Sequence, residues 1–230
     1  MTWPIGIVEE IDAFLKVERP IGEDVCDDVF LTEHFFPLQR KEELRRMVQI
    51  ARGRPHDVVM EIGADKGGGV YHWCQCLSPR RVAVCDIRGV PYRAAFSRAF
   101  PDVHFLWLAC SSRDELALAS VDEWLCGSKI DVLFIDGEKS RMYEDFLEYA
   151  PRVTSGGTVF VHDIQDDYGR EAFSKMKCDV RARSTEEIVL LQDSMEAAQR
   201  ERDGLPCVNS YEGWLRHWKG ASCGVGVVYL

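Results

Sequence analysis

The sequence contains no apolar run long enough to cross a bilayer, which takes about 20 residues. Its first residues, MTWPIGIVEEIDAF, have neither the basic region nor the continuous apolar run of an export signal. We therefore expect a cytoplasmic protein without a membrane partner.

Basic charge is also scarce, because 28 Lys and Arg residues stand against 38 Asp and Glu residues, for a net charge of −10. A protein that holds a phosphate backbone through a broad face needs the opposite balance. We therefore expect no nucleic-acid partner. With 230 residues, of which 46% are hydrophobic, the chain is long enough to bury a full core as one domain with extensions.

The nine cysteines lack the spacing of a metal site or of a disulfide framework. Cys74 and Cys76 are separated by one residue, and the others are scattered. An odd number without a framework is typical of reduced thiols. We expect them to pack as small hydrophobic side chains.

A dinucleotide fingerprint is absent from the most informative stretch, DVVMEIGADKGGG at residues 57–69. Its apolar run predicts a buried strand, followed by a glycine turn and a helix. A G-x-G-x-x-G pattern would place a glycine at position 65, but Asp65 stands there. Glu61 ends the strand, and an acid suits the ammonium of an amino-acid moiety better than a pyrophosphate. The stretch therefore favours S-adenosylmethionine over NAD, and a glycine turn without a ligand is the alternative.

The remaining chain alternates apolar runs with helical patterns, which is typical of a parallel sheet. Apolar runs that predict further strands lie at residues 81–87, 103–109, 129–137, 158–161, 188–191 and 223–230. Helical patterns lie at residues 8–17, 37–51, 70–77, 91–100 and 168–176. The predicted fold is α/β and Rossmann-like: a seven-stranded, mostly parallel sheet with helices on both faces and an antiparallel edge strand.

Polar residues follow several of these strands. Asp86 comes roughly twenty residues after the glycine turn, where α/β nucleotide folds place an acid on the ribose hydroxyls; a solvated acid is the alternative. Ser111 follows the third strand and either borders the adenine or caps the next helix. Asp136 ends the fourth strand, and His162 and Asp163 end the fifth.

The order EIGADKGGG, VAVCDI, DVLFIDGEKS and GGTVFVHDI resembles class I S-adenosylmethionine-dependent methyltransferases. It is most similar to the small-molecule O-methyltransferases that include sugar and catechol enzymes and cephalosporin-hydroxylase-like proteins. The resemblance implies methyl transfer from S-adenosylmethionine to a hydroxyl of a small-molecule acceptor. The resemblance covers roughly residues 55–165 and the final strand. The pattern of the chain separately predicts an N-terminal helical cap or substrate region at residues 1–54 and a methyltransferase domain at residues 55–230, with a lid inserted at 192–222.

The resemblance further implies roles for individual residues. The cofactor-binding residues would be Glu61, Gly63, Gly67, Asp86, Ser111 and Asp136. In metal-dependent members, the positions of Asp136, His162 and Asp163 hold a divalent cation, here Mg²⁺. The group commonly has a carboxylate where His162 stands, or a His-Asp pair in which the Asp is the firmer ligand, so the resemblance supports Asp163 as a ligand more strongly than His162.

Lys139 occupies the position of the general base in catechol-type enzymes. A cation held through carboxylates can bind two vicinal oxygens and lower their pKa, and a lysine near it would have a lowered pKa. The alternatives are that Lys139 is solvated, that Asp136 binds the cofactor's amino group or caps a helix, and that His162 is structural or contacts the substrate.

The sequence leaves two other functions open. The first is a nucleic-acid methyltransferase, although no Asn/Asp-Pro-Pro-aromatic motif follows strand four. The second is a methyltransferase fold that has lost activity and serves as a binding module. Trp214 and Trp218, at helical spacing, are predicted to pack in the core or the lid, and a substrate platform is the alternative. The acceptor and the oligomeric state stay open, and a homo-oligomer is compatible with the sequence.

Overall fold

A seven-stranded sheet forms the centre of the molecule, with strand order β3-β2-β1-β4-β5-β7-β6. The structure, a computed structural model, describes residues 5–17, 37, 39–89, 93–189 and 224–230. The strands are β1 (Val58–Ile62), β2 (Arg81–Cys85), β3 (His104–Leu108), β4 (Ile130–Ile135), β5 (Val153–His162), β6 (Ser184–Ile188) and β7 (Val225–Tyr229). Pairing is parallel from β3 through β5, and β7 is antiparallel to both of its neighbours. The predicted fold class is confirmed.

Helices cover both faces of the sheet. The helices are α1 (Ile5–Leu15), α2 (Lys41–Arg52), α3 (Gly68–Leu77), α4 (Arg93–Ala99), α5 (Glu115–Leu125), α6 (Met142–Tyr149) and α7 (Asp167–Lys177). Alternate residues of β1 enter different cores: Val59 packs with α1 to α4, whereas Met60 packs with α5 to α7. Each face is therefore sealed by its own set of helices, as expected for a parallel sheet.

The antiparallel edge contains the largest difference from the sequence-based prediction. A strand was expected at residues 188–191, but β6 spans Ser184–Ile188 and only Ile188 is buried. An edge strand with one open side does not need an apolar run, so its sequence, STEEI, resembles a loop. Strand β7 is inserted between β5 and β6, one place in from the edge.

The helices before β1 belong to the same core as the sheet. Ile11 of α1 and Leu44 and Met47 of α2 are fully buried in the cluster that contains Val59. Glu43 lies on the same buried face of α2 and is 1% exposed. The division of the chain at residue 54 remains a prediction.

Several expectations fall outside the described residues. The lid at 192–222 and the tryptophans Trp214 and Trp218 belong to this group. Within the described ranges, no helix has both the length and the apolar character that a membrane span requires.

Candidate functional site

A cavity of about 490 Å³ opens at the carboxyl ends of the central parallel strands. This is where ligands bind in open α/β sheets, and the volume suits a small-molecule site. Its lining includes Gly63, Asp65, Asp86, Arg88, Ser111, Asp136, Lys139, Asp145, His162 and Asp163. The structure therefore brings most of the predicted site residues to one place.

Gly63 allows the ends of β1 and β4 to meet. It has φ +84°, and a Cβ atom at this position would lie 2.4 Å from the backbone oxygen of Asp136. Its N–H donates to the Cys85 carbonyl at 2.8 Å, and the Asp136 N–H donates to the Ile62 carbonyl at 2.8 Å. Only glycine fits here, because any side chain would meet backbone atoms of the neighbouring strand end.

Glu61 lies in a small cleft beside the cavity rather than in the cavity itself. The cleft shares Gly63, Asp65 and Asp136 with the cavity. Glu61 is 2% exposed, and its Oε2 accepts a hydrogen bond from Trp73 Nε1 at 2.9 Å. Burial, followed by repulsion from Asp136, raises the pKa of Glu61 well above its ordinary value, although the Trp73 bond opposes this. A ligand ammonium in the cleft would therefore favour the ionised form.

Gly67 has a structural role that differs from that of Gly63. It is the N-cap of α3, with φ +84°, and it lines neither the cavity nor the cleft. Gly68 and Gly69 line the cleft, and a Cβ atom at position 69 would lie 2.6 Å from Glu61 Oε1. Gly67 thus turns the chain so that the next two glycines pass close to Glu61.

Asp86 forms part of the cavity wall and holds the glycine turn. Its carboxylate accepts hydrogen bonds from the N–H groups of Asp65, at 3.0 Å, and Arg88, at 2.8 Å. Arg88 Nη2 in turn lies 2.6 Å from Asp65 Oδ1. The sequence reading identified Asp86 but not the two residues that fix its orientation.

Ser111 lines the cavity, and its hydroxyl accepts a hydrogen bond from the Arg113 N–H at 3.3 Å. The alternative role as a helix cap is not observed, because the N-cap of α5 is Asp114. The neighbouring Ser112 donates to Asp145 Oδ1 at 2.5 Å. Burial raises the pKa of Asp145, and the Ser112 hydrogen bond and Arg113 oppose the increase.

Asp145 was missed by the sequence reading, although a signal was present. It lies on α6 among the buried positions Met142, Phe146 and Tyr149. An acid on the apolar face of a helix is unusual unless it has a partner. Such a position is a candidate for a buried polar contact, and here the contact lies at the cavity.

Asp136, His162 and Asp163 form a cluster whose potential ligand atoms all lie within 4.8 Å of one another. His162 Nδ1 is 3.1 Å from Asp136 Oδ1 and 3.3 Å from Asp163 Oδ1. Lys139 Nζ lies 2.5 Å from Asp136 Oδ1 and 2.7 Å from Asp163 Oδ2. We refer to these four residues as the cation cluster.

The charges of the cation cluster stabilise one another. Burial lowers the pKa of Lys139, but Asp136 and Asp163 outweigh it, so that its pKa is raised. Burial likewise raises the pKa of both carboxyls, but His162 and Lys139 reverse the effect, and each pKa is lowered. In this arrangement Lys139 is a counter-ion, whereas a general base needs a lowered pKa. Its catalytic role therefore stays a prediction.

The donor set of the cluster fits a divalent cation. Asp163 has φ +58°, and its Oδ1 is buried, with His162 Nδ1 at 3.3 Å and no well-formed hydrogen bond among the described residues. A buried carboxylate oxygen in this state is suited to metal coordination. The Lys139 ammonium contacts the carboxylates of Asp136 and Asp163. Because like charges repel, a cation could bind there only after the ammonium moves away.

The region before β1 contributes two polar side chains that the sequence reading missed. Gln39 Nε2 donates to Asp136 Oδ2 at 2.5 Å. Glu43 Oε2 lies 3.8 Å from His162 Nε2. The spacing of Glu43 from Met47 and Ala51, four and eight residues, could have identified it as a charged residue on a buried helix face.

Comparisons with known proteins agree with this geometry. A family model described as a methyltransferase domain matches residues 60–164. None of the curated proteins matches the sequence. An O-methyltransferase from Bacillus cereus, solved in complex with SAH, is similar with a TM-score of 0.55 and 17% identity, covering 100% of this chain and 93% of that chain.

A second solved structure is the O-methyltransferase TomG from Streptomyces achromogenes, involved in tomaymycin synthesis and in complex with SAM. It is similar with a TM-score of 0.57 and 14% identity over 95% of each chain. The chain therefore has the fold of these solved methyltransferases, and the predicted resemblance to class I S-adenosylmethionine-dependent methyltransferases is confirmed over the matched residues 60–164.

Proposed function

We propose that this protein transfers a methyl group from S-adenosylmethionine to a hydroxyl of a small molecule. The observation that carries the proposal is that the cation cluster lies in the wall of the cavity at the strand ends. A nucleoside cofactor and the groups that can activate a hydroxyl would therefore share one cavity. Bound S-adenosylmethionine would supply the reactive methyl group.

The cofactor-binding roles follow the geometry of the cavity and cleft. Asp86 would bind the ribose, because two backbone amides already orient its carboxylate in the cavity wall. Ser111 borders the adenine from the end of β3. Glu61 attracts the ammonium of the methionine portion from the adjoining cleft. Gly63 and Asp136, which line both spaces, join the two parts of the cofactor site.

The cation cluster serves the acceptor. Asp136, His162 and Asp163 would hold a divalent cation, with Mg²⁺ as the cation expected from the resemblance. A cation at this position would orient an acceptor oxygen and lower the pKa of its hydroxyl. Lys139 would then be displaced from the two carboxylates, and outside their field it would be able to accept a proton.

The test measures cofactor binding and methyl transfer separately. Calorimetry with S-adenosylhomocysteine should detect a single site in the wild-type chain. Transfer of radiolabelled methyl groups to a panel of vicinal diols and catechols should occur with added MgCl₂ or MnCl₂ and stop with chelator. Asp136→Asn and Asp163→Asn should reduce transfer by at least about 100-fold, whereas Asp102→Asn, at an exposed turn, should leave it unchanged.

Two outcomes would contradict different parts of the proposal. Absence of S-adenosylhomocysteine binding would remove the methyltransferase assignment. Methyl transfer that continues at full rate in chelator would remove the cation and leave an enzyme without a metal.

A binding module without activity is the second candidate, and one observation favours it. The ion pairs of Lys139 with Asp136 and Asp163 offset part of the negative charge of the cluster without any bound ion. Such a protein would bind S-adenosylhomocysteine and transfer no methyl group, so transfer to any acceptor in the panel would exclude it. The net charge of −10 argues against nucleic acid as the acceptor.

A further inference from the structure

One of the three potential ligands of the cation cluster is a histidine nitrogen, and the other two are carboxylate oxygens. His162 is the last residue of β5 and is 2% exposed. Its Nδ1 faces both carboxylates, at 3.1 Å from Asp136 and 3.3 Å from Asp163. The imidazole ring is therefore buried inside the cluster. The third donor that the cluster offers to a cation is a nitrogen rather than an oxygen.

A buried carboxylate stands behind this histidine. Glu43 Oε2 lies 3.8 Å from His162 Nε2, and Glu43 is 1% exposed. Two backbone amides from separate parts of the chain hold the carboxylate: Gly224 donates to Oε1 at 2.6 Å and Arg40 donates to Oε2 at 3.2 Å. Glu43 is therefore held in a fixed position beside the imidazole rather than free to turn towards solvent.

Without a cation, the two carboxylates at 3.1 Å and 3.3 Å favour a proton on Nδ1, and Glu43 faces the other ring nitrogen, Nε2, at 3.8 Å. A cation bound at Nδ1 needs the lone pair of that nitrogen, so the ring proton must reside on Nε2. The carboxylate beside Nε2 attracts this proton electrostatically. Carboxylates in this position orient metal-binding histidines and increase the basicity of the coordinating nitrogen.

The donor chemistry then determines which cation fits. Mg²⁺ prefers oxygen donors and retains several waters, whereas imidazole nitrogen suits iron, zinc, nickel and copper, and affinity rises from Mn²⁺ towards Co²⁺ and Ni²⁺. We infer that His162, positioned by Glu43, makes the cation cluster selective for a first-row transition ion over Mg²⁺. The inference rests on the proposed function, because it requires that a cation binds at this cluster.

The first experiment compares cations on the full-length chain after chelator treatment and dialysis. Calorimetric titrations with CoCl₂, MnCl₂ and MgCl₂ should give a dissociation constant for Co²⁺ at least about tenfold below that for Mg²⁺. The Mn²⁺-loaded protein should show electron spin-echo modulation from a coordinated ¹⁴N nucleus. Neither measurement depends on methyl transfer.

Three variants assign the effect to residues. His162→Asp should abolish the nitrogen modulation and reduce the preference for Co²⁺ over Mg²⁺ about tenfold. Glu43→Gln should weaken Co²⁺ binding by about 10–100-fold while S-adenosylhomocysteine binding is retained. Glu42→Gln, one residue away on the exposed face of α2, should match the wild type. If His162→Asp does not fold, the wild-type ratio and Glu43→Gln still decide the question.

The outcomes separate this inference from the proposed function. Equal or tighter binding of Mg²⁺ in the wild type, or Mn²⁺ bound without nitrogen modulation, would overturn the selectivity and leave the methyltransferase proposal intact. Absence of any bound divalent ion would overturn both the inference and the cation part of the proposed function. Unchanged Co²⁺ affinity in Glu43→Gln would remove Glu43 as a positioning residue.

Discussion

Lys139 Nζ and Asp136 Oδ1 lie 2.5 Å apart, and the same ammonium contacts Asp163 at 2.7 Å. Lys139 is 29% exposed, whereas the two carboxylates are 8% and 11% exposed. The single positive charge of the lysine thus offsets half of the negative charge of two carboxylates that have little access to water. Removing it should leave these carboxylates repelling each other.

Lys139→Met should lower the free energy of unfolding by about 1–3 kcal/mol, less than for a fully buried pair because the lysine is partly solvated. Added MnCl₂ or MgCl₂ should restore part of the loss, since a cation would then neutralise the carboxylates. Urea denaturation with and without cation measures both effects. Lys175→Met, which breaks an exposed pair with Glu171, should show little change and no response to cation. A loss that cations do not reduce would contradict a cation site at this cluster.

Glu61→Gln should change the pH dependence of stability. The pKa of Glu61 is raised in the folded chain, so the folded state binds its proton more tightly than the unfolded state. Stability should therefore fall as pH rises from about 4.5 towards the folded pKa, with a slope of up to about 1.4 kcal/mol per pH unit. Glutamine can still accept the Trp73 hydrogen bond, so the variant should lose this decline.

Urea denaturation of wild type and Glu61→Gln across pH 4.5 to 8 measures the difference, with the exposed Glu42→Gln as the control. Parallel pH profiles for wild type and Glu61→Gln would show that Glu61 ionises freely in the fold.

Gly63→Ala should be severely destabilising, because its Cβ would lie 2.4 Å from a backbone oxygen of Asp136 and its φ is +84°. We expect a loss of about 3–5 kcal/mol, from backbone strain together with the forced separation of β1 and β4. Gly127→Ala is the matched control, since Gly127 has φ +81° but no atom within 4 Å of the added Cβ. The control should lose only about 1–2 kcal/mol. Similar losses in thermal or urea unfolding would refute the steric part of the argument.

Two ligands can show which acid binds the ribose and which binds the amino-acid portion of the cofactor. Asp86→Asn should weaken S-adenosylhomocysteine and 5′-methylthioadenosine alike, by about 10–100-fold, because both contain the ribose. Glu61→Gln should weaken only S-adenosylhomocysteine, since methylthioadenosine lacks the amino-acid portion. Calorimetry on the two variants and on Asp102→Asn, whose side chain is at an exposed turn, makes the comparison. The reverse pattern would assign the two acids to opposite ends of the cofactor.

The central strands and their polar ends were predictable because burial on both faces demands apolar runs. VVMEI and IDVLFI are each followed by residues that end the strand. These residues meet at one edge of the parallel sheet. Asp86, Ser111, Asp136, His162 and Asp163 could therefore be placed at one cavity from sequence alone, and all line it. Glu61 was placed correctly on β1, but its side chain enters the adjoining cleft.

The residues that were missed act through tertiary contacts that carry no local pattern. Gln39 and Glu43 reach Asp136 and His162 across about a hundred residues of sequence or more. The pKa of Lys139 is a second example, because it depends on two carboxylates that are both within contact distance of the ammonium. The prediction placed this strand at residues 188–191 instead of Ser184–Ile188. An edge strand requires few buried side chains, so its sequence carries a weak apolar signal.

The order of strands in the sheet differs from their order of synthesis. β7 is made after β6, yet it lies between β5 and β6 and pairs with both. During translation, the outer edge of β5 therefore stays open, and β6 has no neighbour, until residues 225–229 leave the ribosome. Until then the backbone N–H and C=O groups of Val159 to Val161 on that edge lack their β7 partners, so the sheet is completed only when β7 is available.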